Sequence, residues 1–242
     1  MKLSEDQISE LLSASEKQVC VTDECCVQLV AIANLPSRFG DFQVCGFISP
    51  CDGKEHTAII KGDIVGKSGV VTRVHSECLT GDVMGSKRCD CRDQLLESLR
   101  IIEKEGTGIL LYQRQEGRNI GLAAKIKAYH LQDHGYDTVE ANIHLGYKPD
   151  ERDFGIAANI LKNLQVKSIK LLTNNPTKIQ QMIAAGIQID ERLPLIIEPS
   201  EYNRAYLETK AEKSGHLLGE LASTKDIAKI QEIAKHLPHE EQ

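Results

Sequence analysis

Residues 108–135 read GILLYQRQEGRNIGLAAKIKAYHLQDHG. The opening GILLYQR is an apolar run of strand length, and NIGLAAKIKAYHLQDHG reads as a helix closed by Gly135. The same handover from strand to helix recurs downstream. Asp153 to Leu164 places Phe154, Ala157, Leu161 and Leu164 at helical spacing. SIKLLTNN (168–175) follows as a strand, then PTKIQQMIAAG (176–186) as a helix with Pro176 in its first turn and Gly186 past its end. Upstream, FQVCGFI (42–48), HTAIIKGD (56–63) and VVTRVH (70–75) read as strands punctuated by Gly and Asp, and a helix from Arg92 to Glu105 is closed by Gly106. Strands grouped first and then alternating with helices predict an α+β (mixed α/β) core in one domain.

Both ends read as short helical additions. Residues 3–12 carry Leu3, Ile8, Leu11 and Leu12 on one stripe, with Ser4 and Gln7 in a capping-box relation. STKDIAKIQEIAKHL (223–237) places Ile227, Ile230, Ala234 and Leu237 at helical spacing behind Thr224 as a cap, and reads as a helix outside the main domain.

The chain has 242 residues, 41% hydrophobic and 26% charged, enough for a substantial core. No apolar run approaches the roughly 20 residues that span a bilayer. The N-terminus MKLSEDQISE is acidic where a secretory signal would be basic and then apolar. A cytoplasmic protein without a membrane partner is expected. A net charge of −6 and 4% aromatics argue against nucleic acid as a partner. All eight cysteines precede residue 92. Cys20, Cys25, Cys26, Cys45 and Cys51 show no ligand spacing and read as free thiols.

The other three stand in RVHSECLTGDVMGSKRCDCRDQ (73–94), where Cys78, Cys89 and Cys91 form C-x10-C-x-C beside His75, Glu77 and Asp82. Three thiolates with a fourth position left for water describe a catalytic zinc. A closed structural site, completed by His75 or another ligand, fits the same spacing. Glu77 and Asp82 favour the open site, because they can hold or deprotonate a water. Three further segments offer grips for anions. RQEGRNIGL (114–122) sets Arg114, Arg118 and two glycines before a helix. TNNPTK (173–178) points a helix N-terminus, Thr173 and Lys178 at whatever lies beyond its strand. PDERDF (149–154) holds Asp150, Arg152 and Asp153, which as acids at a helix start can equally be simple caps. A hydrolytic metal combined with phosphate grips implies a phosphorylated substrate.

RVHSECLTGD, SKRCDC, ILLYQRQEGRNIGL, DTVEAN, DERDF, LLTNNPTK and ETKAEKSGHLL occur in that order, and the pattern resembles GTP cyclohydrolase II over roughly residues 35–219. The resemblance implies a catalytic domain at 35–219, with residues 1–34 and 220–242 as extensions, and a monofunctional enzyme that begins riboflavin biosynthesis. Such an enzyme opens the imidazole ring of GTP and releases formate and pyrophosphate. The product is 2,5-diamino-6-(5-phosphoribosylamino)pyrimidin-4(3H)-one. The resemblance assigns one zinc per chain to Cys78, Cys89 and Cys91, and magnesium to the triphosphate. It assigns GTP contacts to Arg73, Val74, His75, Ser76, Glu77, Gln94, Glu116, Gly117, Arg118, Thr138, Thr173 and Lys178. Asp150 matches a proton acceptor, Arg152 a nucleophile toward the α-phosphate, and Tyr129 a residue near the zinc-side chemistry. A protonated guanidinium is a poor nucleophile, so an electrostatic Arg152 is a rival reading. The resemblance also implies a homodimer. Two other readings are a variant that opens the ring but keeps the formyl group, and a GTP-binding paralogue without catalysis. Arg92 stands where some bacterial members carry glycine, which places an extra cation beside the metal.

Overall fold

The structure, a computed structural model, describes residues 2–17, 27–198, 202, 217 and 226–235. Cys20, Cys25, Cys26, Thr224, Leu237 and most of ETKAEKSGHLL lie outside the described residues. Seven strands form one mixed sheet in the order β1-β2-β3-β5-β4-β6-β7. β1 (Gln28–Ser37), β2 (Gly40–Ser49) and β3 (Lys54–Lys61) run antiparallel to their neighbours, and β3 pairs antiparallel with β5 (Gly108–Gln113). From β5 the sheet turns parallel through β4 (Val70–Ser76), β6 (Ile169–Leu172) and β7 (Ile189–Leu193). The expected α+β class is the observed one.

Helices cover both faces, so the central strands alternate between two apolar environments. On one side Val70, Val74, Ile109 and Leu111 pack with Ile160 of α6 (Gly155–Asn163) and Ile179 of α7 (Pro176–Ala184). On the other, Val71 and Leu110 meet Leu99 and Ile102 of α3 (Cys91–Glu105). That period of two is the pleat of a strand buried on both faces. Each such Ile or Leu contributes about 1.5–3 kcal/mol by leaving water.

The punctuation works as the residue types dictate. Gly106 takes φ 71° at the end of α3, where its N–H satisfies the carbonyls of Ile102 and Glu103. Asn175 caps α7 by accepting from the Lys178 N–H, with Pro176 in the first turn. Helix α4 (Leu122–Gln132) begins three residues later than Asn119, because Gly121 at φ 86° breaks the helical path.

The first helix, α1 (Glu5–Lys17), shows the Ser4–Gln7 capping box and runs past residue 12. Leu3 and Leu11 are buried, and Ser15 Oγ accepts from the Leu29 N–H, which fastens the extra turn to β1. In the last described helix, α8 (Ile227–Lys235), Asp226 accepts from the Ala228 and Lys229 N–H groups, and the expected cap Thr224 lies outside the described residues. Its Ile230 is fully buried in the larger apolar cluster, so α8 packs on the sheet domain and not apart from it. Cys45 is free and buried, whereas Cys51 is disulfide-bonded, against the expectation of a free thiol. No helix among the described residues is long and apolar enough to cross a membrane.

Topology fixes where the site must lie. The chain leaves β4 through α2 (Leu79–Asp82) and α3 to reach β5 on one side. It then returns through α4, α5 (Thr138–His144) and α6 to β6 on the other side of β4. A crevice opens beyond the carboxyl ends of parallel strands where successive connections diverge in this way. Strand β4 ends at Ser76, β5 at Gln113 and β6 at Leu172, and each is followed at once by one of the motif segments.

Candidate active site

A cavity of about 510 Å³ occupies that crevice. Its wall brings together Arg73, His75, Ser76, Glu77, Cys78, Cys89, Cys91 and Gln94 with Glu116, Gly117, Arg118, Tyr129, Thr138, Arg152, Thr173 and Lys178. Of the residues that the resemblance assigns, two are not on the wall. Val74 buries its side chain in the core and offers its carbonyl to Lys178 Nζ at 2.7 Å. Asp150 is exposed and grips the wall residue Arg152, with Oδ1 accepting from Arg152 Nε at 2.8 Å and Oδ2 accepting from both Nε and a terminal nitrogen.

The three thiols converge at one end, where their sulfurs lie within 4.8 Å of one another. Cys78 and Cys89 Sγ are 3.6 Å apart, close to the ~3.8 Å that two ~2.3 Å zinc–sulfur bonds subtend at a tetrahedral angle. Gly81 supplies a second test of fit. A Cβ at that position would stand 3.0 Å from Cys89 Sγ and 3.1 Å from Cys78 Sγ, so the glycine keeps clear the space an ion needs. Hydrogen bonds from Cys89 and Cys91 drive Cys78 toward thiolate, with the Lys125 cation adding to the effect. The bond to Cys78 pushes Cys89 up to about 11, and the same contact raises Cys91. A donor set of three sulfurs suits a thiophilic metal.

Lys125 was not among the expected residues. Its Nζ donates to Glu116 Oε1 at 2.6 Å and to Cys78 Sγ at 3.1 Å. Burial opposes its charge, but the Glu116 bond and the Cys78 charge outweigh burial and raise it above an ordinary lysine. Glu116 Oε2 in turn accepts from the Leu79 N–H at 2.6 Å, so one carboxylate joins the RQEGRNIGL loop to the start of α2. Lys125 precedes Tyr129 by one helical turn, and that spacing was the available signal. The Tyr129 hydroxyl meets Thr80 Oγ1 at 3.1 Å, and its phenol is raised by burial.

Asp82 corrects the expectation that it handles water. It is nearly inaccessible and accepts from His75 Nε2, the Cys78 N–H and the Tyr112 hydroxyl. Those bonds close the turn around Cys78 and leave Asp82 off the cavity wall. Burial lowers His75 despite the Asp82 bond, so the imidazole is neutral with Nε2–H donating. Its Nδ1 is buried without a partner among the described residues, as are Ser76 Oγ, Arg73 Nε and Gln115 Oε1. Orphaned polar atoms on a cavity wall are the mark of a surface built to meet a polar ligand. Glu77 pairs with Arg114 at 3.2 Å.

A second part of the wall is cationic. Buried Arg73 donates to the Leu172 carbonyl at 3.0 Å and to Gln94 Oε1 at 2.6 Å, and burial brings it down to about 10. Lys178 lies over the Phe154 ring at 4.8 Å. Arg118 donates to the Pro149 carbonyl, and Gln113 and Gln115 both donate to the Asp153 carbonyl, at 3.3 and 2.8 Å. These bonds hold the 149–153 loop against β5. For Asp150, burial favours the neutral acid, but Arg152 and Arg118 together hold the carboxyl below its ordinary range.

Comparison with known proteins identifies the family. The GTP cyclohydrolase II family description matches residues 28–194. The chain is 54% identical over 194 residues to GTP cyclohydrolase-2 of Buchnera aphidicola, covering 80% of this chain and 100% of that protein. It is 57% identical over 189 residues to GTP cyclohydrolase-2 of Klebsiella pneumoniae, covering 78% and 94%. A 57% identity over 185 residues to riboflavin biosynthesis protein RibBA of Bacillus subtilis covers 76% of this chain and 46% of that protein. The chain belongs to the GTP cyclohydrolase II family and is an enzyme that hydrolyses GTP in riboflavin biosynthesis.

Proposed function

We propose that the thiol end of the cavity holds one zinc ion and the cationic end holds the triphosphate of GTP, with its magnesium. The enzyme then opens the imidazole ring and releases formate and pyrophosphate. The observation carrying this reading is that Cys78, Cys89 and Cys91 share one cavity wall with Arg152, Thr173 and Lys178. Zinc held by these three thiolates would supply Lewis acidity for the hydrolysis.

The chain's own residues do the rest. Glu116 and Lys125 fix the turn that carries Cys78, and Lys125 offsets part of the thiolate charge. Tyr129, kept protonated by burial, can donate a hydrogen bond toward the reacting ring. Its presence favours full release of formate over retention of a formyl group. Arg73, Arg118 and Lys178 meet the phosphates, and His75, Ser76, Gln94 and Thr138 line the space for the nucleoside.

Arg152 acts as an electrostatic clamp on the α-phosphate and not as a nucleophile. Its guanidinium is already engaged by Asp150, and a carboxylate held below its ordinary pKa is too weak a base to strip it. Asp150 therefore orients Arg152. The protein is proposed to be a cytoplasmic homodimer, which light scattering tests. Incubating the purified protein with GTP and magnesium, then assaying formate, pyrophosphate and product mass, tests the whole reading. Bound zinc without formate would overturn it.

A further inference from the structure

Arg192 is the largest fully buried side chain among the described residues and takes no part in the cavity wall. It sits on β7, the outermost parallel strand, and its fork reaches sideways into the turn that follows β6. Nε donates to the Thr173 carbonyl at 2.7 Å, and a terminal nitrogen donates to Asn174 Oδ1 at 2.8 Å and to the Leu217 carbonyl at 3.3 Å. Asn174 completes the knot. Its side chain exchanges hydrogen bonds with the Leu195 backbone at 2.6 and 3.1 Å, and its carbonyl accepts from the Leu217 N–H at 2.8 Å.

We propose that Arg192 is a positioning residue for the phosphate end of the site, holding the turn Thr173–Asn175 in the shape that accepts an anion and locking the chain at Leu217 onto it. This rests on the reading of Thr173 and Lys178 as the phosphate grip.

Peptide geometry gives the reason. In a trans peptide the carbonyl and the following N–H point in opposite directions. Fixing the Thr173 carbonyl toward Arg192 turns the Asn174 N–H away from Arg192, and Thr173 and Asn174 are themselves on the cavity wall. The next N–H, of Asn175, is held by Thr173 Oγ1 at 3.1 Å, and Asn175 caps α7. The Arg192 fork thus fixes the Thr173 carbonyl and the Asn174 side chain, and Thr173 Oγ1 and the Asn175 cap carry the turn on to the helix N-terminus, a natural seat for phosphate. A guanidinium suits the task because its planar donors engage several oxygens at once, which an ammonium on a flexible stem cannot do in a fixed plane.

The test uses zinc-loaded Arg192→Lys and Arg192→Gln beside the wild type. Zinc content, thermal midpoint, kcat and KM for GTP, and calorimetric binding of inorganic pyrophosphate are measured for each. Arg192→Gln is expected to raise KM and weaken pyrophosphate about 10-fold while kcat falls less than about threefold and zinc is unchanged. Arg192→Lys should recover part of that loss. Should the Gln variant fail to fold, the Lys variant decides, with an expected rise in KM of about threefold. A lowered thermal midpoint with wild-type KM and wild-type pyrophosphate affinity in the folded variants would overturn the proposal, since that marks a purely structural residue. Failure of the functional reading is separate: the wild type would then release no formate, while pyrophosphate binding would still report on the turn.

Discussion

The thiol and cationic parts of the cavity wall are built in opposite ways. The thiol end comes almost entirely from one continuous stretch, Cys78 to Cys91, closed by Lys125 and Glu116. The cationic end is assembled from the end of β4, the 149–154 loop and the turn after β6, residues up to about a hundred positions apart. A local site stands or falls with its ligands, and a distributed site can lose one grip and keep the others. The division predicts that variants at the thiol end remove metal and ring opening together, whereas variants at the cationic end leave metal in place.

The largest effect should come from Cys89→Ser. Removing one of three thiolates is expected to abolish zinc retention and lower formate release by on the order of 10³-fold or more, the worth of several kcal/mol of metal catalysis. Metal analysis and a formate assay on the same preparation check it. Zinc retained at one per chain would break the comparison at its thiol end.

Arg152→Ala should come next. Zinc content is expected to stay at the wild-type value while pyrophosphate release falls by about 10²-fold, as for loss of one preorganised electrostatic donor. Equal zinc loss in Cys89→Ser and Arg152→Ala would show that the two ends are one unit.

Gly81→Ala sharpens the comparison without touching a ligand. The added methyl stands against Cys78 and Cys89 sulfur, so metal affinity should drop by about 10-fold with little change in fold. Competition with a zinc-binding dye measures it, and unchanged affinity would mean that the thiols can move aside.

The same contrast explains what could be read from the chain. The cysteines announced themselves because their spacing is local. Gly106 and Pro176 marked helix ends because each acts through its own backbone. Helix α5 went unread although Asp137 and Glu140 form a capping box there. Strand β7 (Ile189–Leu193, IDERL) hid for a different reason: three of its five residues are charged, and the burial of Arg192 is a tertiary fact with no local signature. Asp82 misled in the opposite sense, since proximity to a cysteine in sequence says nothing about how many donors already claim the carboxylate. Lys125 reads as one more helical lysine until the sheet brings Cys78 against it.

The smallest effect concerns the scaffold shared by both ends. His56 is fully buried, and its Nδ1 accepts from the Arg114 N–H at 3.1 Å, which anchors the loop carrying Glu116 and Arg118. Only a neutral ring offers that acceptor while Nε2 faces Asp52. Burial lowers His56 below 6.5, more than Asp52 raises it. The unfolded chain therefore binds the proton first as pH falls. Stability is full above about pH 6.5 and declines below it, at up to about 1.4 kcal/mol per pH unit for one proton, until the folded ring titrates too. His75, lowered by burial in the same way, adds to the slope. Urea denaturation at pH 7, 6 and 5 should show the wild type losing stability on acidification. His56→Asn should start less stable at pH 7 but lose less between pH 6.5 and 5. An unchanged slope would place the pH sensitivity elsewhere, and would remove His56 from the support of the Glu116 loop.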